Sequence, residues 1–326
     1  MLVIDIPRHG GPEVLTPVER PIPQPGPGEV LIRVEAAGVN RPDLMQRAGV
    51  YPMPPGAPTV PGLEVAGTIV GLGQGVHRWK QDDAVCALLI GGGYAEYVIA
   101  PEGQCMRIPA GLDAVQASSL PEAAFTAWSA LLEHGRLRSG ERFLVHGGTS
   151  GVGSLALQWA RALGAEVFAT AGSDEKCATC TEWGAHLAIN YRTQAYEQVL
   201  EERTAGRGVD VILDMVGAPY FERNLQVIAR DGRMVYIAHP QGRELRVDIG
   251  LVMMKRAYIT GTTLRHRTLE QKAAIASELE RVLWPLVEQG KVRPRVNRVF
   301  ALRDAAAAHV HLDSDSNMGK TVLQVA

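Results

Sequence analysis

The spacing of hydrophobic positions along this chain changes near residue 122. Before that point, short apolar runs alternate with Gly and Pro. Glu29–Val39, Glu64–Gly73, Asp82–Ile90 and Tyr94–Gly103 each read as β-rich segments bounded by turn residues. The stretches Pro21-Ile22-Pro23-Gln24-Pro25 and Pro52-Met53-Pro54-Pro55 are predicted surface connectors, because proline cannot donate to a central ladder. From Glu122 the period lengthens: EAAFTAWSALLEHG has helical spacing and stops at Gly135. A regular alternation follows. RFLVHG reads as a buried strand and SLALQWARALG as a helix ending at Gly164. EVFATA is the next strand, and Asp174–Trp183 is a helix closed by Gly184. LAINY, VDVILDMV, GRMVYIA and AYITGTTL continue the series with helical segments between most of them. Nearly continuous apolar strands separated by helices predict a parallel sheet covered on both faces. TLEQKAAIASELERVLWPLVEQG is predicted as one long amphipathic helix, after which NRVFAL and GKTVLQVA return to strand texture. The expected class is α/β, with two domains. A β-rich domain (1–123 and 267–326) is interrupted by a doubly wound parallel-sheet domain (124–266).

Length and composition agree with that division. A chain of 326 residues exceeds the usual size of one core. A net charge of -2 supplies no attraction to nucleic acid or anionic membranes, so neither partner is expected. The segment MLVIDIPRHGGPEVL lacks a basic run followed by an apolar core, and no 18 consecutive apolar residues occur. With only four cysteines and no visible leader, the thiols are expected to be reduced and the protein cytoplasmic.

The strongest chemical signal is Gly147-Gly148-Thr149-Ser150-Gly151-Val152-Gly153, which follows a predicted strand and opens a helix. Glycines permit the tight turn and let backbone N–H groups approach a pyrophosphate, whose charge is favoured at a helix N-terminus. The similar Gly71-Leu72-Gly73-Gln74-Gly75 leads into no helix and is expected to be a hairpin turn. Cofactor preference is read about 20 residues on, where an acid would bind the ribose 2′-hydroxyl and repel a 2′-phosphate. Thr170-Ala171-Gly172-Ser173 carries no acid; Ser173 could bond a phosphate and Lys176 lies a turn later. Asp174 complicates this, although a first-turn acid also suits the helix N-terminus. The balance favours NADPH, with Lys176 as a merely solvated lysine the alternative.

Metal and nucleophile patterns are sparse. Cys177 and Cys180 make a lone C-x-x-C on a predicted helix, Cys86 and Cys105 are isolated, and His309 and His311 face different ways on a helix. No metal is expected. Gly148–Val152 lacks the second glycine of a hydrolase elbow, so Ser150 reads as a phosphate-side hydroxyl.

Several runs together resemble the zinc-free quinone oxidoreductase branch of the medium-chain dehydrogenase/reductase superfamily. They are Ala37–Arg47, Pro61–Gly67, Gly93–Val98, Thr149–Gly153 and Gly319–Leu323, in order across essentially the whole chain. Ala171-Gly172-Ser173 and the Tyr51-Pro52 segment bring the p53-inducible subgroup nearest. The resemblance implies a GroES-like catalytic domain beside a Rossmann domain. Where zinc-dependent relatives carry cysteine and histidine ligands, this chain has Asn40 and Leu63, and it lacks their four-cysteine lobe. Glu64 is then implied to be structural.

By resemblance, Asn40 and Asp43 would border the acceptor side of the nicotinamide, and Tyr51 would face both. Thr126 would meet the carboxamide, while Gly148, Ser150, Gly151, Val152 and Gly153 would hold the pyrophosphate. Ser173, Lys176 and Tyr191 would surround the 2′-phosphate. Ala238, His239, Thr263, Leu264, Arg265 and Lys320 would complete the cofactor site, and Pro52–Pro58 would form a lip over the acceptor. For Asn40 and Thr126, helix capping is the competing reading. The implied activity is metal-free hydride transfer from NADPH to a quinone or other electron-poor acceptor. Reduction of an activated C=C bond is the nearest alternative, and an NADPH sensor or RNA-binding module the alternative of another class. An apolar last strand, Ala257–Leu264, suggests a homodimer or homotetramer.

Overall fold

A computed structural model describes residues 1–51, 53–54 and 56–325. The chain forms two compact units, one made of residues 1–125, 264–290 and 294–326, the other of residues 126–263 and 291–293.

The first unit is built on a seven-stranded sheet. Its order runs Val296–Ala301, Lys320–Gln324, Glu29–Val39, Glu64–Leu72, Ala84–Leu88, Cys105–Arg107, with Tyr97–Pro101 also pairing to Glu29–Val39. Only the first pair is parallel; the others are antiparallel. Val30, Ile32, Ile69, Val85 and Leu323 are fully buried in its core. A short helix, Arg41–Arg47, leaves the central strand directly. Asn40 caps it, Pro42 fits its first turn, and Asp43 returns to the cap backbone in a capping box.

The expected helix over 268–290 is two helices, Leu269–Val282 and Trp284–Glu288. Pro285 is the reason, since it has no N–H and its ring cannot follow an unbroken turn, so it sits in the first turn of the second helix. EAAFTAWSALLEHG likewise divides, into an α-helix Pro121–Trp128 and a π-helical stretch Ser129–His134 that ends at Gly135.

The second unit contains a six-stranded sheet. Its order is Leu187–Asn190, Glu166–Ala171, Arg142–His146, Val209–Asp214, Ile228–Tyr236, Tyr258–Gly261, and every pairing is parallel. This is the doubly wound order in which the chain direction reverses beside the first strand, Arg142–His146. Val209–Asp214 is buried throughout, as a strand covered on both faces must be. The last strand leaves an open edge, with Tyr258 58% and Ile259 42% exposed.

Candidate functional site

In the second unit the strand Arg142–His146 ends in the turn Gly147–Ser150, and the helix Gly151–Ala162 begins at once. Ser150 caps that helix, its Oγ accepting from the Gly153 N–H at 2.9 Å. The N–H groups of Gly151 and Val152 have no intrahelical partner in the first turn, which is what an anionic diphosphate needs. Gly147 holds φ at +68°, and a Cβ on Gly153 would lie 2.2 Å from the Gly147 carbonyl oxygen, so neither position accepts a side chain. Gly148 has a different reason: a Cβ there would strike Cys180 Sγ at 2.7 Å and Ala169 at 2.8 Å. Its small size serves helix–strand packing.

Beneath the turn lies a buried polar chain. Asn224 gives its amide N–H to Asp214 at 2.7 Å, so its carbonyl must accept, from His146 Nε2 at 2.7 Å and from Tyr196 at 2.9 Å. His146 is therefore the neutral Nε2–H tautomer, with Nδ1 accepting from Thr170 at 3.0 Å, and burial holds its pKa below the ordinary value. Asp214 also accepts the N–H groups of Val216 and Gly217. The C-terminal ends of three neighbouring strands are thus fixed together under the glycine turn.

At the end of the second strand, a Cβ on Gly172 would come within 2.7 Å of the Tyr191 hydroxyl and 3.5 Å of Arg192 Nε. Ser173 caps the following helix through the Lys176 N–H at 3.2 Å. Asp174, the acid that complicated the sequence reading, accepts from Asn190 Nδ2 at 2.8 Å. The turn is thereby bordered by the Ser173 and Tyr191 hydroxyls and the Arg192 side chain, Lys176 lies in the first turn of the helix that follows, and Asp174 is bonded to Asn190. That donor set fits a ribose 2′-phosphate, and the Gly151–Val152 cradle fits the pyrophosphate of NADPH. Arg192 was missed from sequence. Its signal was its place just after the third strand, whose end abuts that of the second in a parallel sheet. Thr126 is buried, and Ala238 and His239 follow the fifth strand, where the His239 Cα would lie 2.9 Å from a Cβ on Gly217.

The first unit brings together Asn40, Asp43, Tyr51, Arg265 and Lys320. Glu64 is fully buried and accepts from Asn40 Nδ2 at 2.8 Å, from the Glu122 N–H at 2.9 Å and from the Lys320 ammonium. Lys320 also donates to Asn40 Oδ1 at 2.7 Å. Both ends of the Asn40 amide are committed, and Leu63 is a buried aliphatic. Among the described residues no group of three or more His, Cys, Asp or Glu could hold a metal.

Asp43 accepts from the N–H groups of Asn40 at 2.7 Å and Gly62 at 3.1 Å and from the Tyr94 hydroxyl at 3.2 Å. Burial nevertheless raises its pKa to about 6. Arg47 can only donate, so His309 Nδ1 accepts from it at 3.2 Å, and Nε2–H then faces the Tyr94 oxygen at 3.0 Å. The result is a directed chain, Arg47 to His309 to Tyr94 to Asp43, with burial pressing His309 down to about 3. Burial also lifts the Glu122 carboxyl to about 7, with Glu64 adding repulsion. The Tyr51 phenol is raised by burial, and the Arg265 guanidinium lies 4.3 Å from its ring centroid. Of the expected proline lip, Pro52 and Pro55 lie outside the described residues.

Two family models match parts of the chain. An alcohol dehydrogenase GroES-like domain matches residues 26–110, and a zinc-binding dehydrogenase domain matches residues 151–279. The quinone oxidoreductase of Pseudomonas aeruginosa is 35% identical over 320 residues, covering 97% of each chain. The 2-haloacrylate reductase of a Burkholderia species is 32% identical, covering 97% of this chain and 96% of its own. Among solved structures, Escherichia coli quinone oxidoreductase complexed with NADPH matches at a TM-score of 0.90 and 31% identity, covering 100% of both chains.

Proposed function

This chain belongs to the quinone oxidoreductase branch of the medium-chain dehydrogenases and reductases, and on that premise we propose that it reduces quinones with NADPH. The observation that carries the cofactor preference is the Gly172–Ser173 turn, bordered by Tyr191 and Arg192, with Asp174 bonded to Asn190. Bound NADPH supplies the hydride. The chain's residues bind, orient and exclude water. The N–H groups of Gly151 and Val152 receive the pyrophosphate, and Ser173, Lys176, Tyr191 and Arg192 receive the 2′-phosphate. Thr126, Ala238, His239, Thr263 and Leu264 serve the rest of the cofactor.

Asn40 and Tyr51 face the acceptor, and the fully buried Asp43 holds the Asn40 backbone from behind. Asn40 is held by Glu64 and Lys320, so its placement is rigid rather than induced. A quinone is already electrophilic and its product can take a proton from water, so the residues present suffice without a metal ligand set. Steady-state NADPH oxidation with 1,2-naphthoquinone tests this, and absence of turnover with any quinone would sink it.

A second reading, reduction of an activated C=C bond, is supported by the similarity to 2-haloacrylate reductase and by the Tyr51 phenol, which could protonate the α-carbon. Rates with an enoyl thioester or a haloacrylate against those with quinones separate the two. We also propose a homodimer, or a tetramer built from it, because the open Tyr258–Gly261 edge and exposed Met253 and Met254 offer strand pairing with an apolar flank. Light scattering at micromolar concentration tests that; a monomer contradicts it. The four free cysteines suit a cytoplasmic location.

A further inference from the structure

Arg265 is the residue whose surroundings account for it least. It is only 8% exposed, its guanidinium lies 4.3 Å from the Tyr51 ring, and Nη1 points at Met53 Sδ at 2.9 Å. A thioether is a weak acceptor and a ring face uses no N–H. Nη2 is buried and bonded to nothing among the described residues. Asp43 and Glu122 both feel its charge, yet neither carboxylate bonds it: Asp43 is taken by Asn40, Gly62 and Tyr94. A buried cation with an unpaired N–H is costly to maintain, and a ligand oxygen placed here would supply the missing acceptor.

We propose that Arg265 is a catalytic residue that holds the acceptor's oxygen and takes up the negative charge developing there. This rests on the quinone-reduction reading above, and it moves Arg265 from the cofactor set to the acceptor. The reaction balances as follows. The quinone takes a hydride, two electrons and one hydrogen nucleus, and NADPH is oxidised to NADP⁺. The transferred hydrogen bonds to one quinone oxygen as the donor C–H bond breaks, the electron pairs shift so that the ring becomes aromatic, and the π pair of the opposite carbonyl settles on its oxygen as a phenolate, which then takes a proton from water. Nη2–H donates to the oxygen as its charge grows, the service a metal gives in zinc-dependent relatives. Stacking on the Tyr51 ring uses the guanidinium's face and leaves Nη2–H available to donate, so Tyr51 is the platform that holds it.

The test uses Arg265→Gln and Arg265→Lys in the full-length protein, with two readouts. In turnover with substituted benzoquinones, Arg265→Gln is expected to lose roughly 100-fold in kcat/KM, the scale for removing one charge-stabilising donor. The loss should grow as the product phenolate becomes more basic, and Arg265→Lys should recover about a tenth of the wild-type rate or more. NADPH affinity, from fluorescence titration, should stay within about twofold of wild type. In the second readout, 4-nitrophenol is titrated as an inert product mimic. Wild type should bind the yellow phenolate and lower its apparent pKa, and Arg265→Gln should abolish that shift. The inference is overturned if Arg265→Gln binds 4-nitrophenolate like wild type. It is equally overturned if its defect is a raised NADPH dissociation constant with acceptor kcat/KM intact. Absence of quinone turnover by wild type would instead refute the function, while the nitrophenolate titration would still judge Arg265.

Discussion

Lys320→Met takes the ammonium away from the buried Glu64 carboxylate. In the folded protein the two side chains are 5% and 0% exposed, and Lys320 also orients the Asn40 carbonyl oxygen. The variant leaves Glu64 with two N–H donors, from Asn40 and from the Glu122 backbone, and no cation bonded to it among the described residues. Breaking a buried ion pair from one side costs about 3–5 kcal/mol, and the two surviving donors argue for the lower end, about 3 kcal/mol. In a unit of this size each kcal/mol moves the melting temperature by about 2–4 °C, so the first unit should melt ~6–12 °C lower. Differential scanning calorimetry is the assay, because separate units can melt separately. The double variant Lys320→Met with Glu64→Gln removes both charges and should recover more than half of the loss, a coupling read directly from the double-mutant cycle. A Lys320→Met transition within about 2 °C of wild type, or a double variant no more stable than the single one, would refute the account of this network.

Two further consequences concern stability. The Glu122 carboxyl is raised from an ordinary 4.5 to about 7 by burial, so the folded state favours its neutral form. A carboxyl shifted in that direction stabilises least at high pH. Its contribution is full below about pH 4.5 and is lost as pH rises through 7, and Asp43, raised to about 6, acts in the same sense. Glu122→Gln should therefore flatten the decline in melting temperature between pH 5 and 8; an unchanged slope would contradict the assignment. Gly153→Ala places a Cβ 2.2 Å from the Gly147 carbonyl oxygen, forcing the helix away from the turn. It should weaken NADPH binding at least tenfold in a fluorescence titration, with less than about 2 kcal/mol lost from stability. Undiminished affinity would mean that the turn does not hold the pyrophosphate.

Much of the second unit was legible because its signals are local. The strand, glycine turn and capped helix at 142–162 lie within one window, and apolar strands alternating with helices announce a parallel sheet. Boundaries failed where one residue outweighed the period. Pro285 sits inside an amphipathic pattern that reads through it, and Arg41–Arg47 is too short to show any period at all. The site in the first unit was legible only as separate residues. Asp43 meets Tyr94 across 51 positions and Tyr94 meets His309 across 215, distances that no local pattern spans. In the linear sequence His309 is only half of an unpromising H-x-H. Arg192 and Glu122 went unnoticed because their roles come from neighbouring strands and from burial, neither of which a linear reading supplies.

We infer that this chain takes the 2′-phosphate of NADPH at the Gly172–Ser173 turn, which Tyr191 and Arg192 border. The most direct measurement compares kcat/KM for NADPH and NADH, with a quinone acceptor, in wild type and in Lys176→Ala combined with Arg192→Gln. Wild type should prefer NADPH by at least tenfold. The double variant should raise the KM for NADPH by about 100-fold, roughly tenfold for each charge-assisted phosphate contact of about 1.5 kcal/mol, and leave the KM for NADH within about twofold. Equal use of both cofactors by wild type, or equal losses on both in the variant, would contradict it.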